Sequence, residues 1–190
     1  MDLSNQETAQ KVIKQCLDGD RVAQQAFYKH FYSLALGICM RYASDVNQAK
    51  DMMHDGFIKV FANMSGFKFK GSLEGWVKRI LVNNALDTIR NNKRFIATEI
   101  EEVFGQEEPI DPFGISDEEI IQADARLIVE LIQQLPRMAR VVVNLIIFEG
   151  YSHQQVADEL GISVSSSKST YSRARQKLRT LFYQNRMHNE

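Results

Sequence analysis

The last helix-like stretch of the chain gathers the residue types that grip nucleic acid. Ser165, Ser166, Lys168, Ser169, Ser172 and Arg173 share the outer side of a helical pattern whose inner side is Val164, Ser167, Tyr171, Ala174, Leu178 and Leu181. Small hydroxyls and long cations can approach phosphates and base edges in a major groove. The start of such a helix adds backbone N–H donors for phosphate. From Gly161 onward the only acid is Glu190, against Lys168, Arg173, Arg175, Lys177, Arg179 and Arg186. A second group, Phe67-Lys68-Phe69-Lys70, interleaves rings with cations. That combination suits unstacked bases of a single strand, held by stacking and backbone charge. Downstream of it lie Lys78, Arg79, Asn83, Asn84, Asp87, Arg90, Lys93 and Arg94. In a third group, Asp51, Asp55 and Ile58 fall on one face by i, i+4, i+7 spacing, with His54 beside them. An acidic and apolar face of this kind suits docking on a basic protein partner.

None of these groups is catalytic. His54 with Asp51 and Asp55 is the nearest approach to a metal cluster, and a solvated polar face explains it better because no further ligand is indicated. The sequence has no phosphate loop and no nucleophile–base set. No metal, no cofactor and no enzymatic activity are therefore expected. Cys16 and Cys39 have neither metal-ligand nor disulfide-framework spacing and read as buried free thiols.

The elements that must position these residues all read as helices. A first helix covers 4–17, with Val12, Ile13 and Leu17. Asp18-Gly19-Asp20 marks a turn and a new start. The next helix carries Ala23, Phe27, Phe31, Leu34, Ile38 and Tyr42 at three-to-four spacing. After a break at Ser44-Asp45, Ala49, Met53, Phe57 and Val60 share a face. A loop spans 65–71. Ser72 then caps a long helix running to about Arg94, with inner residues Leu73, Val77, Ile80, Ala85 (or Asn84) and Thr88. Trp76, beside Val77 and Ile80, reads as core rather than as a wedge for DNA, and Phe67 and Phe69 fit either role.

Residues 95–122 lack a sustained period and hold Pro109, Pro112 and the run EIEEVFGQEEPIDPFGISDEE, so they read as an acidic flexible linker. Beyond it come Leu127, Ile128, Leu131, Ile132 and Leu135, a helix break at Pro136, and a helix with Met138, Val142, Leu145 and Ile146. Gly150 fits a helix C′ position. Ser152 followed by Gln155 fits a capping box before a short helix with Val156, Ala157 and Leu160. A turn at Gly161 and a cap at Ser163 lead into the last helix. Residues 152–180 thus have the layout of a helix-turn-helix.

The fold class expected is all-α: two small helical domains, 1–94 and 123–190, joined by a flexible acidic linker at 95–122. Length and composition agree. The chain has 190 residues, 44% of them hydrophobic, which suffices for one ordinary or two small cores. A net charge of −1 means that DNA binding must come from local segregation of charge. The polar start MDLSNQET has no apolar signal region, and no apolar run is long enough to cross a bilayer. A cytoplasmic protein without membrane insertion is expected.

The stretch LPRMARVVVNLIIFEGYSHQQVADELGISVSSSKSTYSRARQKLR resembles the minus-thirty-five-binding domain of bacterial RNA polymerase sigma factors of the extracytoplasmic-function type. Leu135-Pro136, Glu149-Gly150-Tyr151-Ser152, Ala157 with Leu160-Gly161-Ile162-Ser163, Lys168-Ser169 and Arg173-Ala174-Arg175 follow the family's order. Ser165 and Ser167 stand where the family commonly has glycine and valine. Ser167 points inward on the helical reading and is placed to bond back to a carbonyl one turn earlier. In the first domain, DVNQAKDMMHDGFIKVF resembles the clamp-binding helix, with Lys50 and His54 departing from the family's Glu and Gln. FKFKGSLEGWVKRILVNNALDTIRNNKR resembles the minus-ten-binding region, where Asn83, Asp87 and Arg90 match a pattern that starts at Trp76.

The resemblance implies a sigma factor that binds core RNA polymerase and directs promoter recognition, promoter melting and transcription initiation. It assigns Asp51, His54, Asp55 and Ile58 to the polymerase. Phe67, Lys68, Lys70, Asn83, Asn84, Asp87 and Arg90 go to the minus-ten strand, and Ser165, Ser166, Lys168, Ser169, Ser172 and Arg173 to the minus-thirty-five duplex. Implied partners are the clamp of beta-prime, the flap of beta, promoter DNA and an anti-sigma factor. The competing reading is a stand-alone helix-turn-helix regulator that binds its operator unaided.

Overall fold

In the computed structural model, residue 3 and residues 5–91 and 125–189 are described, and all regular structure among them is helical. The expected linker at 95–122 lies outside the described residues. By contacts the chain divides into two units, Met1–Asn91 and Asn92–Glu190.

The first unit holds α1 (Gln6–Leu17), α2 (Arg21–Tyr42), α3 (Val46–Ala62) and α4 (Leu73–Asn91). Each start has a chemical cause. The Asn5 side chain accepts from the amides of Glu7 and Thr8, that of Asp20 from Val22 and Ala23, and that of Asp45 from Asn47 and Gln48. Ser72 Oγ accepts from the Gly75 amide at 3.0 Å. These bonds satisfy amide groups that a helix start leaves without partners. Helix α4 packs on both α2 and α3, and α1 on α2. Phe27 stacks at a tilt on Phe31 and Phe61, with centroids 4.8 and 5.6 Å away.

The buried faces differ from the expected stripes in detail. On α2, Ala35 is buried and Leu34 only half-buried. On α4, Leu73, Val77 and Ala85 are buried as expected, but Leu81, Val82, Leu86 and Ile89 join them while Ile80 and Thr88 stay half-exposed. A helix with neighbours on two sides buries a wider arc than one stripe.

The second unit holds α5 (Ala125–Gln133), α6 (Arg137–Val143), α7 (His153–Leu160) and α8 (Val164–Asn189). Pro136 sits at the start of α6, its carbonyl accepting from the Arg140 amide at 2.9 Å. Arg140 is itself buried and donates from Nη2 to the carbonyls of Gln133 and Leu135 at 3.0 and 3.1 Å. It thereby serves acceptors that the end of α5 leaves over. Helix α6 widens into a π-helical turn over Asn144–Phe148, ended by Gly150 at φ 71°. Helix α8 packs on α5, α6 and α7. Among the described residues, no helix is long and apolar enough to cross a membrane.

Candidate nucleic-acid interface

Helices α7 and α8 form the helix-turn-helix. The capping box at the start of α7 is complete: Ser152 Oγ accepts from the Gln155 amide at 3.2 Å, and Gln155 Oε1 accepts from the Ser152 amide at 2.8 Å. Gly161 turns the chain at φ 67°, ψ 35°, a left-handed conformation that suits glycine because a Cβ costs about 1–2 kcal/mol there. Ser163 Oγ accepts from the Ser166 amide at 2.9 Å and starts α8.

Helices α7 and α8 pack on each other, with Val156, Ala157 and Leu160 of the one and Tyr171, Ala174 and Leu178 of the other buried, while Ile162 and two residues expected on the inner face of α8, Val164 and Leu181, are half-buried. Ser167 is fully buried. Its hydroxyl pairs with His153 Nδ1 at 3.0 Å, across the two helices, rather than with a carbonyl one turn back. The His153 ring also meets Tyr171 edge-on at 5.6 Å, and the Arg175 guanidinium lies 5.9 Å from the Tyr171 ring centre. Where the family commonly has valine, this chain has a polar link between the two helices. The signal for it was a histidine at the first position of α7, which local periodicity does not pair with a serine on the next helix.

The outer face of α8 is presented as expected. Ser165, Lys168, Ser169, Ser172 and Arg173 are exposed. Ser166 is half-buried and its hydroxyl accepts from Ser163 Oγ at 2.9 Å; its carbonyl accepts from Ser169 Oγ at 3.1 Å.

In the first unit, Asp51, His54, Asp55 and Ile58 are all exposed on α3, Ile58 at 56%. Burial of Met52, Met53, Gly56 and Phe57 on the other side of α3 sets that orientation. The minus-ten-like residues divide. Lys68, Lys70 and Asn83 are exposed. Phe67 is buried against Phe69 and Trp76, at 4.7 and 5.3 Å between ring centres, so its faces are already occupied and it is not an open stacking platform. Trp76 is half-buried. Phe69 has φ 57°, a conformation that costs a bulky side chain about 1–3 kcal/mol. Next to these rings lies a concavity of about 510 Å³ lined by Gln6, His30, Phe31, Phe67, Phe69 and Glu74, among others.

Asn84 leaves the expected surface. It is 3% exposed, and its Nδ2 donates to the Met52 carbonyl of α3 at 2.8 Å. A buried amide needs such a partner, and of the two alternatives for that register the inner one holds. Asp87 faces α3 as well: Oδ2 accepts from Lys59 Nζ and Oδ1 from Arg90 Nη2, both at 2.8 Å. The bond from Lys59, and after it the one from Arg90, hold the Asp87 carboxyl below the usual carboxylate range. Sequence reasoning did not single out Lys59, because its partner lies 28 residues away. Among the described residues, no cluster of three or more His, Cys, Asp or Glu could hold a metal ion.

Two family models match the chain: "Sigma-70 region 2" over residues 27–95 and "Sigma-70, region 4" over 125–178. The ECF RNA polymerase sigma factor SigE of Mycolicibacterium smegmatis is 30% identical over 145 residues; the match takes in 75% of this chain but 54% of that relative. The ECF RNA polymerase sigma factor SigW of Bacillus subtilis is 28% identical over 89% of this chain and 94% of its own. A solved structure of the sigma factor RpoE in complex with the anti-sigma factor NepR, from Bartonella quintana, is 22% identical, covers 84% of this chain and 98% of that one, and has a TM-score of 0.45. With both regions matched in order, each on a helical unit, the chain belongs to the extracytoplasmic-function sigma factors, whose work is transcription initiation.

Proposed function

We propose that this chain docks on core RNA polymerase through α3, holds the unpaired minus-ten strand with its first unit and reads the minus-thirty-five duplex with α8. The observation that carries the reading is the face of α3. Asp51, Asp55 and Ile58 are exposed together, an acidic and apolar surface suited to a basic coiled coil such as the clamp of beta-prime. Lys68, Lys70, Asn83 and Arg90 supply cations and hydrogen-bonding groups for a single strand. The concavity beside Phe67 and Phe69 falls in the size range of small-ligand sites, which suits a base turned out of the stack. Ser165, Lys168, Ser169, Ser172 and Arg173 meet the duplex, with the half-buried Ser166 beside them, and the second unit leans on the flap of beta. By this reading the protein acts in the cytoplasm, has no catalytic activity of its own and is held in check by an anti-sigma factor over the same surfaces.

Reconstitution tests this. The purified chain is mixed with sigma-free bacterial core polymerase and assayed for promoter-specific transcription and duplex opening on a promoter library. Initiation is expected only with both components, and Asp51→Ala and Arg173→Ala are each expected to weaken it. Sequence-specific binding by the protein alone, with no pairing to core enzyme, would instead establish the stand-alone regulator.

A further inference from the structure

Of the four α4 residues assigned to the minus-ten strand, Asn83, Asn84, Asp87 and Arg90, two are turned to α3. Asn84 is spent on the Met52 carbonyl, and Asp87 on Lys59. The helices also meet at Gly56, where an added Cβ would lie 2.6 Å from Leu81 Cδ2. The helix offered to polymerase and the helix offered to the strand are therefore tied at three places.

The charge pattern is informative. A lone carboxylate on a strand-binding face repels phosphate. Asp87 is not alone: Lys59 and Arg90 each contact one of its oxygens at 2.8 Å, and the trio carries net positive charge. Side chains of Lys59 and Asp87 are 43% and 45% exposed, and ion pairs so wetted add little to stability. Their consequence is placement. A free arginine side chain carries about 2 kcal/mol of rotamer entropy, part of which is lost whenever it grips a ligand; a fork already held in place has less to lose.

Resting on the function proposed above, and deepening it, we infer that Asp87 reads no base: it is a positioning residue that holds Arg90 toward the strand, while Lys59 anchors it to the polymerase-docking helix. Strand binding and polymerase docking then share one rigid support, and Lys59 belongs to both.

The test uses reconstituted holoenzyme and a fork-junction probe with a labelled, unpaired minus-ten strand. Strand affinity, base preference at each unpaired position, affinity for core enzyme and thermal stability are measured for Asp87→Asn, Arg90→Ala, their double variant, Lys59→Met and Lys59→Arg. Asp87→Asn is expected to weaken strand binding about tenfold, roughly 1.4 kcal/mol, with base preference unchanged and thermal stability lowered only slightly. The sign is telling, because removing a negative charge near phosphate would by itself tighten binding. Arg90→Ala is expected to cost much less in the Asp87→Asn background than alone. Lys59→Met should weaken strand binding about threefold, roughly 0.7 kcal/mol, and Lys59→Arg should restore it. Altered base preference at one position in Asp87→Asn, additive losses with Arg90→Ala, or wild-type strand affinity in Lys59→Met would each overturn the inference. A wild-type holoenzyme that does not bind the strand at all would sink the sigma reading itself, and this inference with it.

Discussion

Replacing Gly56 by alanine pits two effects of known size against each other. In a helix interior alanine is favoured over glycine by about 0.8–1.0 kcal/mol. At Gly37, exposed on α2 with nothing within 4 Å of an added Cβ, that gain is all that happens. At Gly56 the new Cβ would lie 2.6 Å from Leu81 Cδ2, with Asn84 Nδ2 3.7 Å away. Carbon atoms rest at about 3.5–4.0 Å, so Leu81 must retreat by roughly 1 Å, and it is completely buried. Overpacking of this kind costs about 1–3 kcal/mol. The clash therefore exceeds the propensity gain, and Gly56→Ala should lose about 1 kcal/mol net while Gly37→Ala gains nearly as much. Urea unfolding followed by tryptophan fluorescence reads this out cleanly. Trp76 is the sole tryptophan and lies in the first unit, so the signal reports that unit alone. The two variants should move the midpoint in opposite directions at unchanged m-value, and the melting temperature by about 4–8 °C per kcal/mol. The combination Gly56→Ala with Leu81→Ala should cost less than the sum of its parts, since the smaller side chain removes the clash. A Gly56→Ala midpoint that rises like that of Gly37→Ala would refute the close approach of α3 and α4.

Three further outcomes follow from local geometry. Gly161→Ala should destabilise the second unit by about 1 kcal/mol, because φ is 67° there, and a circular-dichroism melt that shows no change would contradict the turn. Burial pushes the Cys39 thiol up to about 12, so at pH 8 the native protein should leave Cys39 unmodified by a thiol reagent until urea opens the core; fast native labelling at that position would refute its burial. The Asp87 carboxyl is held low, first by the bond from Lys59. Its stabilisation is therefore present above the unfolded value, about 3.9, and is lost as pH falls through the folded one. The effect is small, because the pair is nearly half-exposed. Asp87→Asn should flatten the stability profile below about pH 4, and superimposable acid limbs would argue against the ion pair.

Much of the scaffold was legible because its causes are local. The caps at Ser72, Ser152 and Ser163, the turn at Gly161 and the restart after Pro136 all depend on residues within one helical turn. The faces of α3 and α8 were legible for the same reason: in each, large apolar residues recur at helical spacing on one side and charged or hydroxyl residues gather on the other. What escaped were contacts between helices. The buried arc of α4 was read as a single stripe, and it is wider because α2 and α3 flank it. Asn84 lies three residues after Leu81 and seven after Val77, a spacing that favours the inside. Its polar side chain nevertheless matched a surface role equally well until the Met52 carbonyl came into view. Phe67 likewise fits base stacking by type and is covered by Phe69 and Trp76 in fact. His153 with Ser167, and Lys59 with Asp87, are pairs 14 and 28 residues apart, beyond the reach of any helical period.

The distribution of charge bears on how such a chain works. Net charge is −1, yet cations collect on α8 and on the Lys68–Lys70 loop, while Asp51 and Asp55 hold the outer face of α3. Nonspecific affinity for DNA follows the number of phosphates neutralised, and at a net charge of −1 the chain as a whole is not basic. On the proposed reading, the free subunit is thus not sequestered along the chromosome. Its binding strengthens only when polymerase presents both units to one promoter, where modest contacts combine through effective concentration. The acids of α3 add direction to this. They repel phosphate and attract a basic protein surface, and the adjacent Ile58 gains by losing water only against a protein. On the proposed reading the face that DNA rejects is the face offered to polymerase, and the cationic loop is left to the strand.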